Sequence, residues 1–146
     1  MSTVHDPCAR QALRSRIQSL RPDSQRQWGK MSTDQMLWHV NRALETALGH
    51  ITPPRDRPPL PRALMRVIVL NLPWPQGAPT PSAFVAKSSH DFHAERGRCL
   101  GFLDELAEKD LNAEWPPHPA LGSMSGDEHS RLQHKHVDHH LRQFGV

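Results

Sequence analysis

Proline decides where this chain can be regular and where it cannot. Nine of its fourteen prolines (Pro53, Pro54, Pro58, Pro59, Pro61, Pro73, Pro75, Pro79 and Pro81) fall between His50 and Lys87. Inside a helix each would remove a backbone donor and clash with the preceding turn. No long element can therefore cross this stretch. The exception is Arg62 to Asn71, where LMRVIVL reads as a short helix or a buried strand-like piece. A connection this long in a compact domain is usually functional, often a lid. The plainer reading is a crossover between helices.

Outside that stretch the apolar residues recur at helical spacing. Asp6-Pro7 opens a first helix, with Asp6 as N-cap and Pro7 where a missing N–H does no harm. Leu13, Ile17 and Leu20 follow, and Arg21-Pro22 closes it. Ser32 to Gln35 is a capping box for a second helix, whose stripe runs Met36, Leu37, Val40, Ala43, Leu44, Ala47 and Leu48 to a stop at Gly49. Ser88 to Asp91 caps a third, with Phe92, Cys99, Leu103 and Leu106 on one face, running to about Glu108. A second proline-rich loop, WPPHPALGSM, leads to the box Ser125 to Glu128 and a last helix that runs to about Phe144, with Gly145 as its stop. No repeat or strand alternation intervenes. The expected fold is all-α: one domain over residues 1–146, a four-helix bundle with a long proline-rich crossover between its second and third helices.

Charge and composition narrow the function classes. Eighteen Lys and Arg against fifteen Asp and Glu leave a net +3, with no five-residue run of one sign. The basic residues from Arg10 to Arg42 are spread out and aromatics are few, so a nucleic-acid surface is not expected. Cys8 and Cys99 form no ligand pair such as C-x-x-C and read as reduced thiols. The polar N-terminus lacks a signal-peptide core, and ALMRVIVLNLPW is too short and proline-flanked to span a membrane. A soluble cytoplasmic protein is expected.

Eleven histidines are many for 146 residues, and six of them lie between His118 and His140. At about 100° per residue, His129, Gln133, His136, His140 and Phe144 share one face of the last helix, flanked by Leu132 and Val137. Buried imidazoles need hydrogen-bond partners or a metal. His136 and His140, four apart, project from consecutive turns and can grip one ion from one rigid element. His129 shares the face, and His139 lies about a quarter turn off it. His134 is expected in solvent, and His5, His50, His90 and His93 on the surface or in loops. On the second helix, His39 sits at the edge of the apolar stripe. Three imidazoles leave open positions on an ion, the arrangement of a catalytic site. Zinc and nickel suit such a set, and iron is compatible.

The segment HVDHHLRQFG from His136 is similar to the H-x-x-H-H-x-x-Q signature of the DinB/YfiT-like metal-dependent helical bundles. RQWGKMSTDQMLWH, ending at His39, resembles that superfamily's second-helix ligand segment, and the element order agrees over nearly the whole chain. HPALGSMS and the RQFG ending resemble one uncharacterised branch. The resemblance implies a divalent ion held by His39, His136 and His140, with Gln143 in the place of the signature's glutamine. It also implies a small-molecule substrate, in some relatives a low-molecular-weight thiol, and a homodimer in many. Relatives often carry Arg-Gly before that glutamine where this chain has Leu141-Arg142.

Three functions follow from this pattern. A thiol transferase would use the ion to hold a thiol sulfur as thiolate, with Gln143 orienting a ligand and Trp115 and His118 at the entrance. A metal-dependent hydrolase would use the same ligands to make hydroxide, but no glutamate adjoins His136 or His140 as in H-E-x-x-H. A non-catalytic helical binding protein would use the histidines only to build the fold.

Overall fold

A computed structural model describes residues 1–146. It contains five α-helices, one 3-10 turn and no strand: α1 (Pro7–Ser19), α2 (Thr33–Leu48), α3 (Arg62–Asn71), α4 (Phe92–Glu108) and α5 (Gly126–Gln143), with the turn at Ser82–Phe84. The helices start where the capping chemistry places them. The Asp6 carboxylate accepts from Cys8 N–H at 2.8 Å and Ala9 N–H at 3.1 Å. The Gln35 side chain accepts from Ser32 N–H at 3.1 Å, and Asp91 accepts from Ala94 N–H at 3.0 Å. At α5 the box closes in both directions, Glu128 N–H to Ser125 Oγ at 3.1 Å and Ser125 N–H to Glu128 Oε2 at 2.9 Å. Each such cap satisfies donors that a helix start leaves without partners.

One core joins the four long helices. α1 packs on α4 and α5, and α2 packs on the same two. Leu13, Ile17, Met36, Leu37, Leu44, Leu103, Leu106 and Leu141 are buried there, and Leu44, Leu103 and Leu106 have no exposed surface. Cys99 is buried in this core and Cys8 is exposed, both as free thiols.

The proline-rich connection contains a fifth helix. Arg62 to Asn71 has ten residues free of proline and takes the helical alternative rather than the strand-like one. α3 packs on α5, and Leu70, Leu121, Met124 and Leu132 make a second, smaller core beneath it. Lys135 on α5 donates to the carbonyls of Val69 and Leu72, both at 2.6 Å, and so ties down the C-terminal end of α3. The connection is thereby held against the face of α5 that carries the histidines.

Gly126 fixes how α5 enters the fold. A β-carbon there would overlap the Leu111 carbonyl and the Trp115 indole nitrogen, so only glycine lets the helix start against that loop. No helix is long and apolar enough to cross a membrane.

Candidate metal centre

His39 comes from α2 and His136 and His140 from α5, two helices in direct contact. The three rings form a nearly equilateral triangle, with centroids 4.9 Å (His39–His136), 4.7 Å (His39–His140) and 4.8 Å (His136–His140) apart. One ring nitrogen from each lies within 4.8 Å of the others. His39 and His140 are buried and His136 is half-buried.

Hydrogen bonds at the outer nitrogens set the direction of two rings. His39 Nδ1 lies 2.8 Å from the Phe84 carbonyl, which can only accept, so Nδ1 carries the proton and Nε2 the lone pair. His140 Nδ1 lies 2.8 Å from Gln143 Oε1. The Gln143 amide is itself oriented, because its Nε2 donates to the Trp28 carbonyl at 3.0 Å. His140 therefore also presents its Nε2 lone pair inward. His39 Nε2 and His136 Nε2 are 3.0 Å apart, which without an ion requires His136 to donate from Nε2.

The donor set fits a transition-metal ion. A tetrahedral ion at about 2.0–2.1 Å from each imidazole nitrogen needs nitrogens about 3.3 Å apart, within the spread that these rings show. Burial holds all three imidazoles in the neutral form that ligates. It pushes His140 down to about 3 and His136 well below the usual histidine range. His39 is also lowered by burial, against the opposing bond to Phe84.

The rival histidines lie elsewhere. His129 is buried against Trp115, ring centroids 5.2 Å apart and planes 19° apart, and its Nε2 donates to the Pro116 carbonyl at 3.0 Å. His139 packs against Trp28 and Trp74, at 5.7 and 5.4 Å. His134 is half-buried rather than solvated, and His5 bonds Ser130 Oγ at 2.7 Å and the Lys109 carbonyl at 2.9 Å. Trp115 is a buried core residue under His129, not part of an entrance. Asp138, which stands between the two α5 histidines, is committed to Arg16 at 2.7 Å and Arg142 at 2.9 Å.

Two residues beside the triangle come from the proline-rich connection, and spacing alone gave no sign of them. Phe84 supplies the carbonyl that orients His39, and Trp74 lies 5.9 Å from His136 by ring centroids. Gly29 matters for the same reason as Gln143. Its φ is +82°, and a β-carbon there would lie 2.5 Å from Gln143 Nε2. Gln143→Leu should therefore lower zinc affinity about 10–100-fold while the helical content stays unchanged, the usual effect of losing a group that orients a ligand. Competition against a chromophoric chelator measures it, and an unchanged affinity would remove the amide from the site.

Residues 8–145 match a family model described as "Protein of unknown function (DUF1569)". No curated protein and no solved structure matches the chain.

Proposed function

We propose that this chain, which belongs to the DUF1569 family, is a metal-dependent enzyme of the DinB/YfiT-like kind that transfers a low-molecular-weight thiol. The observation that carries this reading is the inward-facing triangle of His39, His136 and His140. Three imidazoles on two rigid helices suit zinc or nickel and leave positions open for a substrate atom. A divalent ion bound there would act as a Lewis acid and keep a thiol as thiolate near neutral pH.

The chain's own groups do the rest. Phe84 and Gln143 hold His39 and His140 with their Nε2 lone pairs inward, so neither of these rings has to turn when an ion binds, and His136 gives up its Nε2 proton. Trp74 packs beside His136 and Phe84 beside His39, with ring centroids 5.9 and 6.5 Å apart, so apolar surface flanks the triangle. A hydrolase would need a general base beside the ligands, and the acid nearest them in sequence, Asp138, is spent on two arginines. That favours sulfur over hydroxide as the nucleophile. The packing of α1, α2, α4 and α5 in a closed ring of contacts supports reading the fold as a four-helix bundle, with the segment around α3 as its crossover.

The test starts from untagged protein, which should carry about one equivalent of divalent metal per chain. The loaded protein is then mixed with a panel of small thiols and chlorodinitrobenzene. A carbon–sulfur bond forms, chloride leaves and the thiol proton passes to solvent, faster than without protein. Thiol-independent ester cleavage would instead support the hydrolase. Protein that holds no metal and accelerates neither reaction would overturn the proposal.

A further inference from the structure

A cavity of about 410 Å³, apart from the histidine triangle, opens where the end of α2 meets the loops around Thr52 and His118 and the start of α3. Its polar lining is Arg55, Arg62, His118, Thr46, Thr52 and Ser123, with no carboxylate among the lining residues. Neither arginine enters any ion pair of the molecule. Arg62 donates only to the Asp56 backbone carbonyl, at 2.8 Å, and the Asp56 side chain is not part of the lining.

His118 adds a fixed donor. Its Nδ1 accepts from Ala120 N–H at 3.1 Å and Leu121 N–H at 3.2 Å, so the proton of the neutral ring is on Nε2. Burial holds this ring neutral, down to about 4. The ring is set by the tight pairing of His118 and Gly122 backbones, at 2.8 and 2.9 Å, which Gly122 permits with φ +76°. Two guanidinium groups outside any ion pair and a neutral imidazole line one concave space without a competing acid.

We infer that this cavity binds the anionic group, carboxylate or phosphate, of a small molecule. The inference deepens the metal-centre reading and rests on it for the other half of the ligand. Thr46 lies seven residues from His39 on the same face of α2, a separation of about 10.5 Å along the axis. A substrate that reached both places would carry its anionic group about 10 Å from its reacting atom.

Binding is tested apart from the metal. Succinate and inorganic phosphate are titrated into metal-free protein at constant ionic strength, following the backbone amides of Thr52, Arg62 and Gly122. One or both should bind in the millimolar range, and which one does distinguishes a carboxylate from a phosphate ligand. The double variant R55Q/R62Q should weaken binding at least about tenfold, while R21Q and His136→Ala bind as the unaltered protein does. Arg55 and Arg62 are both exposed, so these changes leave the core intact. Shifts no larger than those from chloride, or equal binding by R55Q/R62Q, would overturn the inference. Because His136→Ala is predicted to keep the anion, a failed metal site and a failed anion site give different results.

Discussion

His136→Ala should remove about two thirds or more of the metal-dependent part of the protein's thermal stability and leave the metal-free protein about as stable as before. The reason lies in what the three imidazoles do without an ion. His39 and His140 both turn Nε2 lone pairs inward, and only one of them can receive the His136 proton at 3.0 Å. The metal-free site is thus a place where lone pairs face one another in a half-dry pocket, and trimming one ring relieves as much as it removes. With an ion present the balance reverses. An ion at a thousandfold excess over its dissociation constant stabilises the native state by about 4 kcal/mol. In a chain of this size that is a rise in Tm of about 10 °C. Removing one of three ligands should weaken binding by more than about 100-fold, beyond the loss seen when only an orienting group is removed. Differential scanning calorimetry of both proteins, with zinc and with chelator, measures this. Equal zinc-induced shifts in the two proteins would show that the triangle is not where the ion binds.

Much of this arrangement was legible in the sequence because helix starts are local chemistry. Asp6, Ser32, Asp91 and Ser125 each carry their own signal within four residues, and the structure places a helix behind every one. The 3.6-residue period then selects faces, which is how Leu13, Ile17, Leu44 and Leu103 were identified as core. The same period brought His136 and His140 to one face and left Gln143 within reach of His140.

What could not be read depends on contacts between distant segments. Periodicity does not say that a carbonyl at Phe84 will meet His39, forty-five residues away in sequence. Nor does it say that Gly29 leaves room for the Gln143 amide. The face of α5 also held five polar or aromatic candidates in line, and only tertiary packing separates them. His129 is drawn to Trp115 and the Pro116 carbonyl, while His136 and His140 meet α2. His5 stands in the turn before α1, as a surface or loop residue would, but periodicity does not show that it meets Ser130, 125 residues away.

Acid should unfold this protein early, and His129 should account for a measurable part of that. Its Nε2–H is given to Pro116, so a second proton would have to go on Nδ1, a buried atom with no hydrogen-bond partner. The residue is 1 % exposed, and burial is the main cause that pushes it down to about 4. Lys109, whose ammonium sits 4.4 Å over the Trp115 ring, opposes protonation as well, while Glu128 and the Pro116 carbonyl favour it. The unfolded chain binds a proton at the ordinary histidine value of about 6.5 and the native state does not until about 4. Stability is therefore fully present above pH 6.5 and falls as the pH drops, by about 1.4 kcal/mol per pH unit for each such group. His129 alone should cost about 3 kcal/mol by pH 4, a large share of the 5–15 kcal/mol that holds a typical domain together. His118, lowered by burial to the same range, acts in the same direction. His129→Phe keeps a ring stacked on Trp115 and has nothing to titrate. Urea unfolding from pH 7 to pH 4.5 should then show a shallower loss of stability in the variant, by about one proton's worth of slope. The variant starts lower at pH 7 because the Pro116 carbonyl loses its donor, so the slope and not the absolute stability carries the comparison. Parallel slopes in the two proteins would mean that the native state binds a proton at His129 as readily as the unfolded chain does, so that burial does not lower it.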